Sequence, residues 1–251
     1  MGGRGGGSHR AGGGGTLAQA QSFLERAYGA THANAIMAFL GNAPSAIQEL
    51  WAEFAGSFRA ARADPNSDEA YYSASRDSVY LGINDVARGD TIHTPYSTVF
   101  HEYGHMTDYL IARKQGHGQY VAYSDSYKNG LLGRTAKEEL EGHLRRFQQM
   151  NPNYTRDDAA GFLIREAKSK YSMRDRSDIS DMFEGAGIGK AYPLGSGHGL
   201  SYWEGRGNGK EIFAEITSAE AASPGSLRAI KEYFPKTYAV YHQMLKERKT
   251  R

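Results

Sequence analysis

The run Thr94 to Arg113, T-P-Y-S-T-V-F-H-E-Y-G-H-M-T-D-Y-L-I-A-R, constrains this chain more than any other stretch. Val99, Phe100, Tyr103, Met106, Leu110 and Ile111 recur at helical spacing, which predicts a helix with one buried face. Thr94 and Pro95 read as its start: a side-chain oxygen for free N–H groups, then a residue whose missing N–H costs nothing at the first helical position. On that helix His101 and His105 stand one turn apart on the same side. Two neutral imidazoles so placed can grip one Zn²⁺, with Glu102 beside them as general base toward the attacking water.

Composition narrows what surrounds this helix. The chain has 251 residues and no cysteine, so it can bury a core without staples, and any metal must be held by His, Asp or Glu. A formal charge of +2 with nearly balanced acids and bases gives no reason to expect a nucleic-acid partner. No apolar run is long enough to span a membrane and no signal-peptide core is present, so a soluble protein is expected.

Residues 1–15 are low complexity and read as a flexible Gly-rich lead, with His9 merely solvated. Residues 16–247 read as one domain, and 248–251 as a solvated basic tail. The domain opens with two helical segments, the second stopping at Gly41, and a third helix whose buried stripe is Ile47, Leu50, Trp51, Phe54 and Phe58. Arg62 to Glu69 is a breaker cluster. A period of two then marks 71–75 and 78–83 as a hairpin around Arg76-Asp77, followed by a loop over 84–93 in which His93 is a loop residue. Downstream, Thr135 and Thr155 read as helix caps and His143 as a partly exposed helix residue. A short helix over 177–184 is predicted to end at Gly185. The fold class expected is α+β, mostly helical, with a small sheet beside the motif helix.

A zinc hydrolase needs a third protein ligand. Ile111 occupies the position where a third histidine would follow in the metzincin pattern, so that class is excluded. Asp108 lies one turn beyond His105 and could be a ligand or an outer partner. In Lys210-Glu211-Ile212-Phe213-Ala214-Glu215-Ile216, two carboxylates four apart share a helical face, so one can bind metal while the other holds the free N–H of a ligating imidazole. The Gly-rich stretch 185–209 carries His198, Tyr202 and Trp203, polar and aromatic residues in a loop of the kind that delivers function.

H-E-Y-G-H-M-T-D, then G-H-G-L-S-Y-W, then E-I-F-A-E resembles the gluzincin peptidases related to the anthrax lethal factor catalytic domain. It resembles still more the zincin domains associated with Mu-type phage minor head proteins and bacterial toxins, over roughly Tyr71 to Met244. The resemblance implies zinc on His101, His105 and Glu211, with Glu102 as base. It implies Glu215 and Asp108 as outer carboxylates and Tyr202 as the oxyanion donor. His198, in the same Gly-rich stretch, is next in line for contact with substrate or oxyanion. It also implies a peptidase with a protein or peptide substrate, located in a bacterial cytoplasm or a virion. Phage head proteins are then a possible partner. A head component with little turnover, or a toxin with one host protein target, are the alternative roles. In peptidases of this kind a strand just upstream of the motif helix offers an exposed edge to the substrate, and Val79 to Ile83 is the segment expected to do so.

Overall fold

A computed structural model describes residues 15–62, 70–189, 194, 197–198, 200–203 and 207–249. The Gly-rich lead up to residue 14 and much of the 190–206 stretch lie outside the described residues, as do 63–69 and the last two positions. The fold is α+β and mostly helical, with one three-stranded mixed sheet.

Three helices open the domain: α1 (Leu17–Tyr28), α2 (Ala30–Asn42) and α3 (Ser45–Phe54). Thr16 and Gln19 form a reciprocal capping box at the start of α1, satisfying two donors that the first turn leaves unpaired. Ile47, Leu50, Trp51 and Phe54 of α3 are core, as their spacing implies; Phe58, expected on the same helix, is buried but lies past its end, beyond a 3-10 turn at Ala55–Ser57. Trp51 packs edge-on or tilted against Phe58, Phe100 and Tyr103 with ring centroids 5.1, 5.1 and 5.4 Å away. Phe100 and Tyr103 belong to the motif helix α5 (Ser97–Lys114), so this aromatic cluster fixes the buried face of that helix.

The sheet comprises β1 (Ala60–Arg62), β2 (Tyr71–Ser73) and β3 (Ser78–Leu81) in the order β1-β3-β2. The hairpin is present, with Tyr71 opposite Tyr80 and Ser73 opposite Ser78. The expected substrate edge is corrected: β3 is the central strand, because β1 pairs with it in parallel through Ala60–Val79 and Arg62–Leu81. The edge strand on the hairpin side is therefore β2. Asp77 ties the hairpin to the end of α5, accepting two bonds from the Arg113 guanidinium at 2.9 and 2.7 Å and one from the Tyr72 hydroxyl at 2.9 Å.

Several boundaries also move. The short helix α4 (Ile83–Arg88) takes up Ile83, expected at the end of the hairpin, and residues 84–88, expected in a loop. Helix α5 begins at Ser97 rather than after Thr94, and its N-cap is Tyr96 in the left-handed region at φ 63°. That conformation costs roughly 1–2 kcal/mol for a residue with a Cβ. It is held by tertiary contacts: the Tyr96 N–H donates to the Val86 carbonyl at 2.8 Å and its hydroxyl meets His32 Nδ1 at 3.0 Å. Helix α7 (Leu131–Met150), which follows the single turn α6 (Tyr123–Ser126), begins a turn before the expected cap. Thr135 instead donates to the Leu131 carbonyl at 2.8 Å. Thr155 does cap α8 (Arg156–Lys170) in a box with Asp158. Helix α9 (Met173–Ala186) starts at a Ser172 cap and ends at Gly187, whose φ of 94° suits a residue without a Cβ.

The chain closes with α10 (Gly209–Ala222), α11 (Pro224–Tyr233) and α12 (Pro235–Glu247). The tail reading is corrected at Arg248, which is only 2% exposed with Nε 3.1 Å from Glu53 Oε2; Lys249 stays exposed and pairs with Glu49 at the surface. The residues that follow α12 are thus tied to α3.

Helices α5 and α10 cross closely because residue 104 is glycine. A Cβ there would lie 3.0 Å from Ala214 Cα and 3.3 Å from Thr217 Cβ. Backbone on the far side cannot rotate away. Gly104→Val is expected to destabilise the fold by about 1–3 kcal/mol through overpacking, read as a lowered midpoint in denaturant. An unchanged midpoint would mean that the crossing has slack.

Candidate metal centre

The α5–α10 crossing brings together side chains from distant parts of the sequence. His101 and His105 leave the open side of α5, opposite the Trp51 cluster, and Glu211 and Glu215 leave the facing side of α10 one turn apart. The two imidazole Nε2 atoms lie 3.1 Å apart. Glu211 Oε2 is 3.0 Å from His105 Nε2 and 3.7 Å from His101 Nε2. Tetrahedral zinc with bonds of about 2.0–2.2 Å spaces its ligand atoms by about 3.3–3.6 Å, so these separations suit a metal among them. Glu211 Oε2 is moreover buried and accepts no hydrogen bond, an orphaned acceptor that a cation would satisfy. His101, His105 and Glu211 are the described residues that could hold a metal ion.

The expected outer carboxylates separate. Glu215 Oε2 lies 3.4 Å from His101 Nδ1, on the far side of the ring from the ligand nitrogen, where it can fix the tautomer that leaves Nε2 free to ligate. Asp108 is not in that position. It is fully buried, and its oxygens accept from the Ser124 N–H at 2.8 Å and the Ser124 hydroxyl at 2.5 Å, so it anchors α6 instead of an imidazole. The reason is geometric: one turn further along α5, the side chain has passed beyond the two histidines to face the next element.

Burial raises the Glu215 carboxyl, with Asp178 and Asp181 adding to the rise. For Glu211, burial acts in the same sense but is outweighed by the two imidazoles and the Tyr202 hydroxyl, which hold it well below the ordinary carboxylate range. Two acids one turn apart thus differ in character because one faces both rings and the other faces a single ring among further carboxylates.

Glu102, buried between the two histidines in sequence, lines the same cavity, a cleft of about 1020 Å³. Tyr71 and Tyr72 of β2 form part of its wall, which places the hairpin edge at the cleft. Tyr202, in a single 3-10 turn over Leu200–Trp203, donates to Glu211 Oε1 at 2.5 Å. His198 stacks on the Tyr202 ring with centroids 4.1 Å apart. His93 stays in its loop, 3.0 Å from Asp90, and His143 meets the Tyr233 carbonyl at 2.7 Å.

Sequence reasoning missed Asp181 and Glu184 on α9. Asp181 receives both the His198 N–H and its imidazole, raising the imidazole above its ordinary range, and Glu184 receives the Trp203 indole N–H at 3.4 Å. Their only signal was acids three apart on one helix, which solvated faces share. Among the described residues no helix is long and apolar enough to cross a membrane. No family model, curated protein or solved structure matches the chain.

Proposed function

We propose that this chain is a zinc-dependent endopeptidase acting on protein or peptide substrates. The observation that carries the reading is the buried side chain of Glu102 lining the same cleft as the His-His-Glu donor set. A site kept only to stabilise the fold has no use for a free carboxylate there. The resemblance of H-E-Y-G-H-M-T-D and E-I-F-A-E to gluzincin peptidases supports the same assignment, and two imidazoles with one carboxylate suit zinc.

His101, His105 and Glu211 would hold the ion. When bound, zinc supplies Lewis-acid polarisation of the scissile carbonyl and makes water a stronger acid. Glu102 takes the proton from the attacking water and later delivers it to the leaving amine, so one carboxylate serves as base and then as acid. Tyr202 hydrogen-bonds Glu211 in the free protein and turns its hydroxyl to the developing oxyanion as the tetrahedral centre forms. An extended substrate pairs with the outer edge of β2, the edge strand among the described residues, whose backbone groups recognise any sequence, while the surrounding side chains set preference.

The test is cleavage of a mixed peptide library by the purified chain. Cleavage is expected to stop when a chelator removes the metal and to return when zinc is added. Cleavage that continues unchanged in chelator, or a metal-loaded protein that cuts nothing, would sink the assignment.

A further inference from the structure

Asp181 is buried on α9 at the cleft wall, and its carboxylate holds one residue twice. Oδ1 accepts the His198 backbone N–H at 2.9 Å, and Oδ2 lies 3.0 Å from Nδ1 of the same imidazole. The chain approaches so closely that a Cβ on the preceding Gly197 would sit 2.6 Å from Asp181 Oδ1. Fixed at both backbone and ring, His198 has one orientation. Its ring lies at 26° to the Tyr202 ring, and Trp203 stands edge-on to both at 6.0 and 5.1 Å while bonding Glu184. At the end of this series the Tyr202 hydroxyl meets Glu211 Oε1.

We propose that Asp181 is a positioning residue for the metal centre: it fixes His198, His198 supports the Tyr202 ring, and Tyr202 braces Glu211 so that Oε2 faces the two imidazoles. Glu211 has two oxygens and a rotatable carboxyl. A hydroxyl on Oε1 selects the rotamer that presents Oε2, and an outer partner of this kind typically contributes 10- to 100-fold in metal affinity or activity. The inference uses the metal-binding half of the proposed function and does not need peptide hydrolysis.

The experiment is zinc release from the full chain into a competing chromophoric chelator, run as a double-mutant cycle on Asp181→Asn and Tyr202→Phe. Asp181→Asn keeps the shape of the side chain but sets an amide against the His198 ring. Each single substitution is expected to speed release by about tenfold or more, and the double variant no further than the faster single. Multiplying effects would overturn the proposal, because Asp181 would then act independently of Tyr202. His198→Leu provides a second route, since that side chain is 37% exposed and its loss need not disturb α9. It is expected to follow the same cycle with Tyr202→Phe, and unchanged release would break the middle link. A chain that binds no zinc overturns the proposal outright. A wild-type chain that binds zinc yet cuts no peptide sinks the peptidase reading while the release cycle still decides the role of Asp181.

Discussion

Glu102→Gln is expected to purify with its full metal content and to lose peptide hydrolysis by about 100- to 10,000-fold, the usual contribution of a general acid–base group. The amide matches the carboxylate in shape, and the residue is 6% exposed, so packing on α5 should survive. What disappears is the ability to accept a proton from water and return it to the amine. The three groups that could hold the metal are untouched. Metal analysis and steady-state rates on the same preparation check both halves together. Full activity would remove Glu102 from the reaction, and coincident loss of metal would make it part of the binding set.

Glu211→Ala is expected to purify largely free of metal and to regain little activity when zinc is added. It removes one of three donors, the one whose Oε2 lies 3.0 and 3.7 Å from the two Nε2 atoms. Glu215→Ala should behave differently. Its carboxylate faces Nδ1 of His101, at 3.4 Å, and not the ligand nitrogen, so truncation leaves three donors in place and weakens metal affinity or activity by roughly 10- to 100-fold. Excess zinc should then restore much of the activity lost through weakened binding. Equilibrium dialysis against zinc at several concentrations separates the two behaviours. If they are exchanged between the two variants, Glu215 is the ligand and Glu211 the outer partner. If Asp108→Ala is the variant that loses metal, the donor set includes a group that the fold aims at Ser124.

How far the sequence foretold this arrangement depended on the distance over which each feature is determined. His101, Glu102 and His105 were legible because a helix converts a four-residue spacing into a shared face. The buried stripe of α3 was legible for the same reason, and Glu211 with Glu215 at least as a pair. Strand β1 was not, since the three residues Ala60–Arg62 carry no alternation and pair only with a strand later in the chain. Its absence from the reading left β3 with an open edge that β1 in fact covers. The start of α5 was misplaced because Tyr96 is held left-handed by Val86 and His32, contacts that exist only after folding. Asp181 was missed because its partner comes from a Gly-rich stretch without periodicity.

The crossing at Gly104 also bears on the order in which the protein acquires its parts. A nascent chain presents both histidines well before Glu211 has been synthesised, and two imidazoles on one helix form an incomplete donor set. The third donor arrives only when α10 docks on α5, a contact of long sequence separation whose loop-closure entropy favours late formation. Metal capture should therefore report completion of the fold rather than initiate it. In hydrogen exchange the central amides of α5 and α10 should belong to one slowly opening unit.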